Sequence, residues 1–172
     1  MWSSEGGRSA RVVRAVAGFA LVVATAGCGF HLRGDVKYAF SSAYVNAPAP
    51  SPMAGELKRT LEGGGTTIAE TAKDAQVTLD LSNVVDSKDV LSLSGGGRVR
   101  EYALAKRATI AVHDSEGRDW MPAAEILVRR SYSYNESEVL AREAQEARLL
   151  KEMQTDVVQQ IVRRLQQAKK PE

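Results

Sequence analysis

The stretch Val77-Thr78-Leu79-Asp80-Leu81-Ser82 alternates apolar and polar side chains, and this alternation decides the fold class of the chain. Because successive side chains of a strand point to opposite faces, the stretch predicts a β-strand with one buried face. Val84 and Val85 break the alternation, which indicates a β-bulge. The glycine-rich run Ser94-Gly95-Gly96-Gly97 predicts the tip of a hairpin that the strand enters.

Two further strands follow, separated by a turn at Asp114-Ser115-Glu116-Gly117. Lys106 occupies an apolar-phase position of the first, so we expect it either to extend past the core edge or to meet a carboxylate. The apolar phase of the first strand is Tyr102, Leu104, Ala108, Ile110 and Val112, and the phase of the second is Ile126, Val128, Arg130, Tyr132 and Tyr134.

One helix is predicted before these strands in the sequence and one after them. After a short strand at Ala43-Tyr44-Val45, Ser51 caps a helix that Pro52 begins and Gly63-Gly64-Gly65 ends. A long helix starts near Ser137. The apolar stripe of the first helix is Met53, Leu57 and Leu61, and that of the second is Leu140, Leu150, Met153, Val157, Ile161 and Leu165, widened by Val158 and Val162.

The element order is therefore strand, helix, three strands and helix. Two amphipathic helices and a half-buried sheet bury their apolar sides against one another. We predict an α+β fold of two layers, with two helices packed on one face of a four-stranded mixed sheet.

Residues 1–27 have the pattern of a bacterial lipoprotein signal peptide. Arg8, Arg11 and Arg14 precede twelve uncharged residues, too few for the about 20 that a membrane-spanning helix needs. The run ends at Thr25-Ala26-Gly27-Cys28, and Cys28 is the only cysteine. We predict cleavage before Cys28, lipidation of its thiol, and a single domain over residues 28–172; an ordinary secretory signal followed by a free cysteine is the alternative. Gly29, where an aspartate would favour the inner membrane, favours the outer membrane.

Charge and motif content argue against two classes of function. Residues 28–172 hold 20 basic and 20 acidic side chains, whereas a nucleic-acid partner calls for a strongly basic face. His31 and His113 have no partner at metal-ligand spacing, and an acylated Cys28 is not a nucleophile. Gly95-Gly96-Gly97-Arg98 lacks the ending of a phosphate-binding loop. We therefore expect no nucleic acid, metal or cofactor, and no enzymatic activity.

Three segments carry a family resemblance. Cys28-Gly29-Phe30-His31-Leu32-Arg33-Gly34, Glu101-Tyr102-x-Leu104 and Leu149-Leu150-Lys151-Glu152-Met153 resemble the LptE family of lipopolysaccharide-assembly lipoproteins. The resemblance implies a lipid-anchored protein on the periplasmic side of the outer membrane. It would plug the LptD β-barrel, support barrel assembly, and help deliver lipopolysaccharide to the outer leaflet. An auxiliary lipoprotein of an ABC-type lipid transporter and a structural envelope scaffold remain alternatives.

Four cations are candidates for binding lipopolysaccharide, whose lipid A and inner core carry phosphates. Guanidinium groups suit phosphate because their planar fork donates two charge-assisted hydrogen bonds. Arg98 and Arg100 stand beside the glycine-rich tip, and Lys106 follows on the same strand. Arg142 is the first choice, because the family resemblance implies a basic residue there. The alternative is that these charges form an ordinary solvated face.

Overall fold

A computed structural model describes residues 38–133 and 139–171 of the chain, with the side chains of 139–142 outside that description. The elements are β1 (Ser42–Asn46), α1 (Pro52–Gly63), β2 (Thr67–Ile68), β3 (Val77–Leu93), β4 (Val99–Asp114), β5 (Asp119–Ser133) and α2 (Val139–Leu165), with a 3-10 turn at Ala72–Asp74. The predicted α+β class and its element order are confirmed.

The sheet is mixed and has five strands in the order β2-β1-β3-β4-β5. β1 runs parallel to β2 and β3, whereas β3, β4 and β5 form an antiparallel meander. The predicted number of four strands was one short, because β2 has only two residues and therefore no periodic signal. It is held to β1 by hydrogen bonds from Thr67 N to Ser41 O (3.0 Å) and from Ala69 N to Ala43 O (2.9 Å).

Helix α1 begins and ends as its sequence predicts. The Ser51 hydroxyl accepts a hydrogen bond from Ala54 N at 3.1 Å, and Pro52 occupies the first turn, where its missing N–H costs nothing. Gly64 N donates to Thr60 O and Leu61 O, and Gly65 has a φ of 85°. A positive φ favours glycine, so the chain leaves the helix at this point.

The bulge and both turns are also confirmed. The β3–β4 register shifts between Ser82 and Val85, and Asn83 adopts a φ of 50° there. Gly97 and Gly117 both have a φ of 77° and close the two tight turns. In each turn, the glycine of the predicted turn sequence adopts the positive φ.

One hydrophobic core joins the sheet to both helices, so the helices share one face of the sheet. The predicted stripes of α1 and α2 are buried, except that Leu150 is only partly buried. The side chain of Leu140, and residues Tyr134 and Ser137, lie outside the described part. No helix within that part is long and apolar enough to cross a membrane. The inward-facing side chains include Val77, Leu79, Leu81, Leu104, Ala108, Ile110, Val112, Ile126 and Val128 from the sheet, Met53, Leu57 and Leu61 from α1, and Met153, Val157, Val158, Ile161, Val162 and Leu165 from α2.

Candidate functional site

The hairpin tip between β3 and β4 presents two of the predicted cations. Ser94 N donates to Arg98 O at 2.7 Å, and the Ser94 hydroxyl accepts from Arg98 N at 3.1 Å. These bonds brace the turn, and both Arg98 and Arg100 are exposed on it. The sequence therefore placed these two arginines correctly, beside the tip and accessible to solvent.

Arg100 also lines a surface cleft of about 440 Å³, together with Ser92, Leu93, Glu101 and Ser133. The Glu101 carboxylate accepts a hydrogen bond from the Ser92 hydroxyl at 3.1 Å. That bond engages one anionic oxygen of the cleft, while Arg100 offers a charged donor for an anionic ligand.

Lys106 is the least accessible of the described candidates. Its residue exposure is 5%, and its ammonium lies 2.5 Å from the Asp86 carboxylate. Lys106 thus meets a carboxylate, one of the two arrangements expected from its apolar-phase position. It is six residues along the strand from Arg100, or about 20 Å at the rise of an extended chain. The structure does not bring it to the hairpin tip.

The pair lies beside the proline-rich connector that leads into α1. Lys106 and Asp86 line a cavity of about 240 Å³ with Pro48, Pro50, Met53 and Gln154 among its other walls. Its position between connector, strand and α2 suits a structural role, in which the lysine neutralises a carboxylate at the edge of the core.

The other two predicted sites lie where the structure gives no side-chain detail. Arg142 belongs to the first turns of α2, and its side chain is outside the described residues. Cys28 and His31 are outside them altogether. Ligand binding at Arg142 and lipidation at Cys28 therefore remain predictions.

A cluster that sequence reasoning missed joins α2 to the hairpin half of the sheet. The Lys88 ammonium lies 2.5 Å from the Glu146 carboxylate, and the Tyr132 hydroxyl donates to that carboxylate at 2.6 Å. Lys88 also stands over the Tyr102 ring, 4.4 Å from its centroid. Cation–π contact and charge-assisted hydrogen bonds thus combine at one point.

These contacts shift the pKa values of the cluster in the directions that favour a charged Lys88, a charged Glu146 and a protonated Tyr132. The hydrogen bond from Lys88 lowers the pKa of Glu146, and the bond to Glu146 raises the pKa of Lys88. Burial, followed by the bond to Glu146, raises the pKa of Tyr132. The pair therefore stays charged and the phenol protonated at neutral pH.

The β-bulge explains why the cluster escaped sequence reasoning. In the phase of Leu79 and Leu81, an even-numbered residue such as Lys88 belongs to the solvent face. The extra residue between Ser82 and Val85 reverses that phase, so that Asp86 pairs with Lys106 and Lys88 faces the helix layer. The break at Val84 and Val85 was the signal available.

A second polar cluster lies around His113, at the end of the sheet away from the hairpin tip. His113 Nε2 lies 2.9 Å from Asp80 Oδ2, and Asn46 Nδ2 donates to the other Asp80 oxygen at 2.7 Å. The contact with the Asp114 carbonyl, followed by the Asp80 carboxylate, raises the pKa of His113. Within residues 38–133 and 139–171, no group of three or more histidine, cysteine, aspartate or glutamate side chains is placed to hold a metal ion.

This fold is shared with a class of bacterial lipoproteins of solved structure. The lipoprotein B of Nitrosomonas europaea has a solved structure that aligns with a TM-score of 0.69 and 31% identity, covering 78% of this chain and 88% of that one. The rare lipoprotein B of Shewanella oneidensis shares the fold with a TM-score of 0.64, at 22% identity over 72% of this chain and 92% of that one.

Sequence comparison identifies the family within that class. The model of the LptE family, described as Lipopolysaccharide-assembly, matches residues 38–165. The LPS-assembly lipoprotein LptE of Photorhabdus laumondii is 28% identical over 90% of this chain and 85% of its own length. That of Yersinia pestis strain Pestoides F is 30% identical over 90% and 75%. The chain belongs to the LptE family of lipopolysaccharide-assembly lipoproteins, a family of the Gram-negative outer membrane.

Proposed function

We propose that this chain is an outer-membrane lipoprotein that plugs the LptD β-barrel, supports barrel assembly and takes part in moving lipopolysaccharide to the outer leaflet. The observation that carries the proposal is the LptE family match over residues 38–165, which spans the five strands and two helices of the described residues. In this function the chain binds lipopolysaccharide and makes or breaks no bond.

The proposal includes a lipid anchor. Residues 1–27 act as the signal peptide, and Cys28 becomes the acylated first residue of one domain over residues 28–172. Each buried methylene of an acyl chain adds about 0.8 kcal/mol of membrane affinity, so two or more chains hold the protein durably. The domain then faces the periplasmic side of the outer membrane.

Lipopolysaccharide binding is proposed for Arg98, Arg100 and Arg142. Arg98 and Arg100 are exposed at the hairpin tip and stand two positions apart, so both can donate to one anionic ligand. Lys106 contributes only if its pair with Asp86 opens, since its charge is otherwise neutralised.

The free edge of β3 supports contact with a large partner. β1 pairs with β3 only as far as Asp80, and the described residues place no strand against the remainder of that edge. Val85, Val90, Leu91 and Leu93 are each more than half exposed along it. Exposed apolar side chains beside unpaired backbone groups are typical of a surface that another protein covers.

Co-purification tests the proposal. The chain is extracted from outer membranes in mild detergent, and a one-to-one complex with a large β-barrel is expected. Changing Val90 and Leu93 to aspartate is expected to weaken retention of the barrel, because each carboxylate would be buried at the contact. Gln159, exposed on α2, and Gln166, exposed just after its end, carry the same two changes in the control. A lipoprotein that elutes alone, or with an ABC-type transporter, would contradict the barrel proposal.

A further inference from the structure

A groove lies between the start of β5 and the C-terminal end of α2, at the opposite end of the sheet from Arg98 and Arg100. Its volume is about 620 Å³, within the range of small-molecule sites. Its lining comes from two segments, Trp120 with residues 121–124 of β5, and Arg164 with residues 167–169 at and after the end of α2. The Lys169 amide donates to the Trp120 carbonyl at 3.3 Å and joins the two segments.

The groove is cationic. Among the described residues, Arg164 and Lys169 line it without a carboxylate beside them, and neither cation forms an ion pair. Arg163 and Lys170 flank it and are exposed. Within the described part of the chain, the groove therefore has unbalanced positive charge next to Met121, Pro122, Ala123 and Ala124.

The shape of β5 argues against a peptide strand as the occupant. The β4–β5 register shifts on both sides of Val112, so β5 carries extra residues beside the groove. Pro122 lacks an N–H and cannot donate to an added strand. A ladder of backbone hydrogen bonds therefore cannot extend across this part of the edge, which leaves a ligand bound by charge and apolar contact.

The groove lies at the end of the domain where the described part of the chain begins, at Tyr38. The Tyr38 ring stacks on Phe40 at 5.3 Å between centroids, and Phe40 meets the edge of Trp120 at 6.4 Å. Cys28 precedes Tyr38 by ten positions, a reach of at most about 35 Å. The hairpin tip is farther from Tyr38 than the groove is, because β3, which separates the two ends of the sheet, spans about 50 Å. A bilayer that holds Cys28 is therefore within reach of the groove.

We propose that this groove binds the head group of an anionic phospholipid in the bilayer that anchors the chain. The phosphate lies between Arg164 and Lys169, and the glycerol and first methylenes lie against residues 121–124. The proposal rests on the proposed anchor at Cys28. It assigns the two ends of the sheet to different lipids, with the phospholipid at the anchored end and lipopolysaccharide at the hairpin tip.

Quenching of Trp120 fluorescence by brominated lipids tests this site. Trp2 is the only other tryptophan, so all variants carry Trp2→Phe and the emission comes from Trp120 alone. The full chain is reconstituted into vesicles in which a minor brominated component is either phosphatidylglycerol or phosphatidylcholine. Stronger quenching by brominated phosphatidylglycerol is expected, with the preference lost at 1 M salt, where the screening length is about 3 Å.

Charge reversal identifies the residues responsible. The double variant Arg164→Glu with Lys169→Glu is expected to lose the preference for phosphatidylglycerol. The control reverses Arg59 and Arg129, which are exposed away from the groove, and is expected to keep it. Unchanged thermal unfolding by circular dichroism shows that each variant is folded. Equal quenching by the two lipids, or equal loss of preference in both variants, would overturn the proposal.

The same samples separate failure of the groove from failure of the anchor. The mass of the N-terminal peptide reports acylation of Cys28 independently of fluorescence. A chain that lacks acyl groups yet keeps the Arg164- and Lys169-dependent preference would contradict the anchor and support the groove. An acylated chain without that preference would do the reverse.

Discussion

Removing the partner of Lys106 is expected to destabilise the domain. Lys106 has 7% of its side chain exposed and lies 2.5 Å from the Asp86 carboxylate, which keeps 45% exposure. Breaking a fully buried pair costs about 3–5 kcal/mol, because a charge is left without a counterion. Water reaches Asp86 and screens part of this interaction, so we expect Asp86→Ala to lower the free energy of unfolding by about 1–3 kcal/mol.

Replacing the lysine itself is expected to have a different result. Lys106→Met keeps the length of the stem and removes the buried charge, so its stability should equal or exceed that of the original chain. In Lys106→Met, the added Asp86→Ala change should then cost little. Thermal and urea unfolding, followed by circular dichroism, measure all four chains, and the single Asp86 variant should melt about 4–12 °C lower.

Two results would refute this account of Lys106. Unchanged stability in Asp86→Ala would mean that the ion pair contributes nothing. A drop in lipopolysaccharide affinity in Lys106→Met, with its stability retained, would mean that the lysine contacts the ligand instead.

Four other predictions follow from the fold and the proposed function. Ile161→Asp puts a carboxylate at a position with no solvent exposure and should cost several kcal/mol; unchanged melting would mean that the α2 stripe faces a partner. Cys28→Ala should abolish both acylation and cleavage before residue 28, as seen by mass spectrometry, and normal processing would contradict the lipoprotein signal. Changing Arg98 and Arg142 to aspartate should weaken lipopolysaccharide binding and flatten its salt dependence, whereas identical titrations would leave these residues merely solvated. Burial opposes ionisation of Asp114, but hydrogen bonds from Arg118, Glu116 and Trp120 outweigh it and lower the pKa of Asp114 from 3.8 to about 2. Its stabilising contribution is therefore complete above its ordinary pKa and is lost as pH falls toward 2; acid unfolding should be less steep in Asp114→Asn, and equal slopes would exclude this role.

Much of the fold was predictable because the signals are local. At the start of α1, the Ser51 hydroxyl accepts a hydrogen bond from a free N–H three residues on, and Pro52 has no N–H to satisfy. Glycine at positions 97 and 117 adopts a positive φ that is unfavourable for most other residues. The period of two in β3 and the helical period of α2 each follow from the geometry of one element. Arg98 and Arg100 were placed correctly for the same reason, since they adjoin a turn that the sequence itself specifies.

The contacts between distant segments needed the tertiary structure. β2 has two residues and becomes a strand only because β1 lies beside it. Lys88 meets Glu146, 58 positions away, because one extra residue in β3 turns its side chain toward the helix layer. The groove assembles Trp120, Arg164 and Lys169 by packing the end of α2 against β5. Periodicity reports how each segment divides its own side chains between two faces, but register and packing decide which faces meet, and those depend on the whole core at once.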